Sequence, residues 1–198
     1  MLEGHRGAAK PGHLRRDVHR CMLDSDGVES IRFRGHPLRL RESQANDRAR
    51  IEGLLAQVAA PDLQMRFFAA LRRVPPGLLD ELMQIDPTQR VTVAAVLGNS
   101  ADDANAEIIA VARAHRVAGA TAEAAPLVRS DLKDQALGSL LLSRLIARCR
   151  ERDISRLIAE VMWRNCRMLR LAEKHGFRYE SVEDDTCHLV LDLGVQLA

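Results

Sequence analysis

Residues 121–177 read TAEAAPLVRSDLKDQALGSLLLSRLIARCRERDISRLIAEVMWRNCRMLRLAEKHGF. Thr121–Arg129 reads as a strand, and the spacing of Leu142, Leu145, Ile146 and Cys149 predicts a helix over Gly138–Arg152. Ser155–Met162 returns to strand, and Arg164–His175 is helical again, with Gly176 as its left-handed C-terminal residue and Phe177 as the apolar contact beside it. Between the first strand and its helix lies Lys133-Asp134-Gln135-Ala136-Leu137-Gly138, followed by Ser139. Gly138 has no side chain and Ala136 almost none, so the backbone here can come close to a ligand. The first N–H groups of a helix have no partner in their own ladder and lie at the positive end of its dipole. Such a turn suits a pyrophosphate.

Working outward, Val91–Leu97 and Glu107–Ala112 read as two strands of a hairpin joined by the polar loop GNSADDANA. Ahead of them, Pro61–Arg73 predicts a helix, and a shorter one follows Pro75-Pro76 with Leu78, Leu79, Leu82 and Met83 apolar. Ser43–Asn46 offer N-caps for a helix carrying Ile51, Leu54, Leu55 and Val58, and Pro37–Arg41 alternates as a strand. Arg178–Leu193 fits a final strand or hairpin. The order gives an α+β fold with a mixed sheet. Residues 1–35 mix Gly, His, Arg and Asp without periodicity and read as a flexible or loosely packed leader, leaving 36–198 as the domain.

Composition narrows the function. In 198 residues, 46% are hydrophobic and 3% aromatic, so the core is built from Leu, Ile, Val, Ala and Met. A net charge of +2 implies neither a nucleic-acid nor a membrane partner. The apolar runs are too short to span a bilayer and no signal peptide opens the chain, so a cytoplasmic location is expected. Cys21, Cys149, Cys166 and Cys187 form no CxxC pair and no zinc spacing, and no metal is expected. Cys149 and Cys166 read as small core residues, and His5, His13, His19 and His36 as solvated. His115 and His188 read as surface or capping residues with proton relay as the alternative, and Trp163 as packing between strand and helix. Arg164 and Arg167 read as outward and solvated.

The run from Val128 to Val161, with Asn165 to Phe177, resembles the GNAT superfamily of N-acetyltransferases. Their acyl-CoA turn follows Gln/Arg-x-x-Gly-x-Gly/Ala, and their last helix opens with Asn and closes on Gly-Phe. Within it the chain is most similar to the acetyltransferase domain of bacterial Pat-type protein lysine acetyltransferases. The marks are Arg66-Phe67-Phe68, Ala112-Arg113, Ala122-Glu123 and the Asn165 to Leu169 opening of the last helix. The resemblance spans residues 36–193 and implies a GNAT fold: a mixed central sheet flanked by helices, with a V-shaped splay between the family's fourth and fifth strands.

It further implies acetyl-CoA as cosubstrate. Lys133, Asp134, Gln135, Ala136, Leu137, Gly138 and Ser139 would hold the pyrophosphate through backbone N–H groups. Leu127, Val128 and Arg129 would pair with the pantetheine arm as an added strand does, and Asn165 would contact the pantetheine or the substrate side. Glu123 would be the general base, because an ammonium with a pKa of about 10.4 has no lone pair until a base removes a proton. A protein lysine is the implied acceptor, in a monomer or homodimer. The chain departs from the pattern at Lys133 and Ala136, at Ala172 where the family commonly has a general-acid Tyr, and at Pro126 inside the CoA-binding strand. A small-molecule amine acetyltransferase and a non-catalytic acyl-CoA-binding module remain the alternatives.

Overall fold

The computed structural model describes residues 22–23, 29–83, 86, 88–98 and 106–194. His5, His13, His19, Cys21 and most of the loop after Leu97 lie outside the described residues, as does most of the expected leader. Where that leader is described, Glu29–Phe33 is a strand paired with the next, so the sheet begins ahead of residue 36.

The strands are β1 (Met22–Leu23), β2 (Glu29–Phe33), β3 (His36–Arg41), β4 (Arg90–Leu97), β5 (Glu107–Ala118), β6 (Thr121–Val128), β7 (Arg156–Met162), β8 (Arg178–Glu183) and β9 (Thr186–Asp192). The helices are α1 (Arg48–Ala56), α2 (Ala60–Phe67), α3 (Pro76–Met83), α4 (Leu137–Glu151) and α5 (Cys166–Lys174). The described strands form one sheet of nine in the order β1-β2-β3-β4-β5-β6-β7-β9-β8. Neighbours are antiparallel except β6 and β7, which run parallel and pair only at Thr121–Arg156, Ala122–Leu157 and Glu123–Ile158. Beyond Glu123 the two strands part, which is the expected splay.

The sheet separates two cores. On one face, Ala110, Ala112, Ala114, Ala122 and Ala124 lie under Leu141, Leu142, Leu145 and Cys149 of α4, and Ala172 of α5 joins them. Alanines on the strands let a leucine-rich helix come close, and each fully buried leucine stabilises the fold by about 1.5–3 kcal/mol. On the other face, Ile51, Leu54, Leu55, Leu63 and Leu79 of α1–α3 cover Ala94, Val96, Ile108, Val111 and Leu127.

The entry to α1 is fixed electrostatically. Asp47 is fully buried and takes Arg41 Nη1 and Nη2, both at 2.7 Å, on its two oxygens. The amide of Gln44 donates to the same carboxylate at 2.8 Å, closing a capping box over one 3₁₀ turn.

Three local expectations are corrected. The helix predicted over 61–73 ends at Phe67, because Phe68 adopts a left-handed conformation (φ +55°) and turns out of the helix toward the cleft described below. β5 runs on to Ala118, its end held by β4 and β6 although its side chains there are exposed. Cys149 is buried, its thiol pushed up to about 12 by burial, but Cys166 is exposed.

Candidate functional site

Where β6 and β7 diverge, a cleft of about 420 Å³ opens between them. The sheet walls contribute Glu123 to Val128 from β6 and Glu160 and Val161 from β7. Helix α2 adds Asp62, Met65 and Arg66, and α5 adds Met168, Leu171 and Lys174.

Strand register decides which backbone groups face this cleft. The amide of Arg129 donates to Ile109 O at 3.0 Å, and β5 and β6 pair without a shift from Ala110–Val128 to Arg116–Ala122. In an antiparallel ladder these groups alternate sides. The amides of Leu127 and Arg129 therefore face β5, while Val128 and Ala124 turn theirs to the cleft. Of the three residues expected to pair with a pantetheine arm along the strand edge, Val128 is the one whose N–H turns that way. Pro126 has the same parity as Val128, so its missing N–H removes no bond to β5. The Arg129 guanidinium is held by Glu107 at 3.0 Å and Asp131 at 2.8 Å.

The turn from Lys133 to Ser139 closes the cleft's mouth. Asp134 and Ala136 both adopt positive φ, +62° and +65°. Left-handed backbone costs a non-glycine residue about 1–2 kcal/mol, which is the physical reason for glycine at the position Ala136 holds. Ala136 is the N-cap of α4 and supplies no capping side chain, so the N–H groups of Leu137, Gly138 and Ser139 have no side-chain acceptor there. Gly138 is needed for close approach: a Cβ there would lie 3.2 Å from Leu171 Cδ2. Gln135 folds back, its amide donating to Asp131 O at 3.4 Å, and does not line the cleft.

Ion pairs pin the turn from both sides. Lys133 pairs with Asp62 of α2, which also accepts from Ser130 Oγ at 2.5 Å. Burial raises the Asp62 pKa, but the Lys133 and Ser130 hydrogen bonds outweigh it and hold the group below its ordinary value. On the other side, Arg167 of α5 donates to Asp134 at 2.7 Å, so Arg167 serves the turn and is not simply solvated. Ser139 Oγ lies 2.8 Å from Nε2 of His175 and accepts from Lys174 Nζ at 3.2 Å.

Glu123 sits at the closed end of the cleft, half-buried on the sheet face that α1–α3 cover. It lies opposite His115 on β5 and beside Ile158 on β7. Asn165 is the N-cap of α5, and its Oδ1 accepts from the Met168 amide at 3.2 Å, so its side-chain NH₂ is what remains for a ligand. Ala172 is fully buried and brings no hydroxyl to the site. His188 Nδ1 lies 3.8 Å from Glu160, a further carboxylate of the cleft that the sequence reading does not single out. Its period-two spacing after Ile158 was the available signal. Trp163 lies half-exposed, away from the packed position expected of it, donating from Nε1 to Asp185 at 2.9 Å. Among the described residues no three His, Cys, Asp or Glu come together to hold a metal, and no helix is long and apolar enough to cross a membrane.

Known structures share this fold. The chain is similar to the GNAT domain of S. lividans PAT, at 27% identity over 86% of this chain and 99% of that one, with a TM-score of 0.75. It is also similar in fold to YncA of Salmonella typhimurium, solved with its cofactor acetyl-CoA, at 19% identity, 81% and 96% coverage and a TM-score of 0.61. A cAMP-binding acyltransferase from Mycobacterium smegmatis matches in fold at 22% identity and a TM-score of 0.58, over 84% of this chain and 47% of that one. The model of the acetyltransferase (GNAT) family matches residues 63–177, more than half of the chain and every residue lining the cleft except Asp62. The chain belongs to the acetyltransferase (GNAT) family.

Proposed function

We propose that this protein transfers an acetyl group from acetyl-CoA to an amine, with a protein lysine as the favoured acceptor. One observation carries the reading: a single cleft has Glu123 at its closed end and the uncapped start of α4 at its mouth. An acyl-CoA is long enough to need both ends, and its contribution to the chemistry is an activated thioester carbonyl.

The residues present fit such a ligand. The N–H groups of Leu137, Gly138 and Ser139 would receive the pyrophosphate, helped by the α4 dipole and Lys174. The Val128 N–H would hold the amide-bearing arm along β6. Glu123 would take a proton from the acceptor ammonium, directly or through water, and free its lone pair. With Ala172 buried, no Tyr hydroxyl stands by at that position, so the thiolate would leave without a proton from it. We place the protein in the cytoplasm as a monomer or homodimer, with neither nucleic acid nor membrane as partner.

A non-catalytic acyl-CoA-binding module is the second reading, favoured by Ala136 and Ala172. Thermal unfolding with and without acetyl-CoA, together with detection of free CoA thiol over lysine peptides and simple amines, separates the two. Stabilisation with thiol release supports transfer. Stabilisation without release, across all acceptors, supports the binding module, and no stabilisation sinks both.

A further inference from the structure

Arg113 carries a buried guanidinium. It sits on β5, on the face covered by α1–α3, and is 8% exposed. Its Nε makes no hydrogen bond, and among the described residues no carboxylate pairs with its charge. Burial, then the charges of Arg66 and Arg90, pull its pKa down to about 10. Arg66 of α2 is lowered as well, by burial, against the opposing pull of Glu123. The charges of Arg66 and Arg90 thus both bear on Arg113, while Glu123 acts on Arg66. A buried charge left uncompensated is strongly unfavourable. Among the described residues, what Arg113 lacks is an anion.

The space matches one. A recess of about 10 Å³ lies between the sheet and α1–α3, walled by Ile51, Leu54 and Leu82, with Arg66 and Arg113 supplying its polar lining. Arg66, Ala125 and Leu127 border both this recess and the main cleft. Such a volume holds about one water-sized group. It admits the tip of a carboxylate, and the molecule carrying that tip must lie in the main cleft, within which Glu123 also stands.

We propose that Arg66 and Arg113 form a recess for a carboxylate carried by a substrate, beside the acyl-transfer site. This rests on reading the cleft as the place where acyl-CoA and acceptor meet. A guanidinium N–H donates a charge-assisted hydrogen bond to a carboxylate oxygen of that size. The carboxylate has two sources: the far end of a dicarboxylic acyl thioester, or an acid group borne by the acceptor amine.

The first measurement uses malonate and succinate as probes. Their effect on the unfolding midpoint of the whole chain is compared with sodium chloride at equal ionic strength, in wild type, Arg113→Met and Arg66→Met. Removing an unpaired buried charge leaves Arg113→Met able to fold, and Arg66→Met is the second variant. Stabilisation beyond chloride that either variant loses supports the recess. Equal response to malonate, succinate and chloride overturns it, as does an unchanged response in both variants.

The second measurement finds the source. Initial rates compare succinyl-CoA with acetyl-CoA on a simple amine, and an amino acid with its decarboxylated amine on acetyl-CoA. The pair in which Arg113→Met lowers the wild-type preference by about tenfold or more identifies it. No loss in either pair overturns a role in substrate binding. Stabilisation of Arg113→Met by acetyl-CoA should match that of wild type; its absence in wild type would fault the acyl-CoA reading while leaving the anion result to stand alone.

Discussion

Ser139 Oγ lies 2.8 Å from Nε2 of His175, so the first turn of α4 is bonded to the residue that ends α5. The two helices whose ends frame the cleft are thereby joined by a pair of side chains far apart in sequence, with Lys174 donating to the same hydroxyl.

His175 gives this contact a pH dependence. Burial, then the charge of Lys174, lowers its pKa below the ordinary value of 6.5. The unfolded chain therefore binds the proton more readily than the folded one, and stability rises with pH between the lowered value and 6.5. The contribution is fully present above 6.5 and lost as pH falls through the folded value. Urea unfolding across this range should show that slope in wild type, and His175→Gln should flatten it. An unchanged slope would remove His175 as its source.

Ala136 holds φ +65° at the turn. Glycine relieves a left-handed cost of about 1–2 kcal/mol and returns about 0.5–1 kcal/mol as entropy of the unfolded chain. Ala136→Gly should thus raise stability by a few tenths to about 1 kcal/mol, seen as a higher urea midpoint with the same slope. A lower midpoint would show that the turn's conformation differs from the one described.

Asp47 is predicted to be the most costly single polar position. Burial alone raises its pKa, but hydrogen bonds from Arg41 and the Gln44 amide outweigh it and hold it below 3.8. Its contribution is present above the unfolded pKa and is lost as pH falls through the depressed folded value. Asp47→Asn leaves Arg41 buried and unpaired in charge, at a cost of about 3–5 kcal/mol. Denaturant unfolding at neutral pH checks this, and a loss under 1 kcal/mol would contradict it.

Glu123→Gln tests the proposed base. Turnover at neutral pH should fall by about 10²–10⁴-fold, with acetyl-CoA stabilisation nearly intact because the α4 turn is untouched. Full turnover in the variant would take Glu123 out of the mechanism.

Much of this was legible in the sequence because it depends on periodicity. The alternation of β6, the 3–4 spacing of Leu142, Leu145, Ile146 and Cys149, and Gly176 all report local rules, and the structure obeys them. The end of α2 did not show, since Phe68 is a left-handed residue with nothing in its chemistry to announce it. Arg113 read only as part of a motif, and arginine is ordinarily a surface residue; its burial follows from where α1–α3 settle. Arg167 and Asp62 reach the cleft through long-range packing that spacing along the chain does not encode. Cleft-facing parity likewise needed the Arg129–Ile109 bond to fix it.

Pro126 carries a last consequence. A strand edge that parts from its neighbour offers a row of donors and acceptors to any other strand, its own β7 included. On β6 that row runs through Ala124, Pro126 and Val128, and its middle donor does not exist. A full-length partner strand cannot zip along it. The same proline that looks out of place in the sequence thus withholds a donor that β7, or a neighbouring molecule's edge, would need to close the opening.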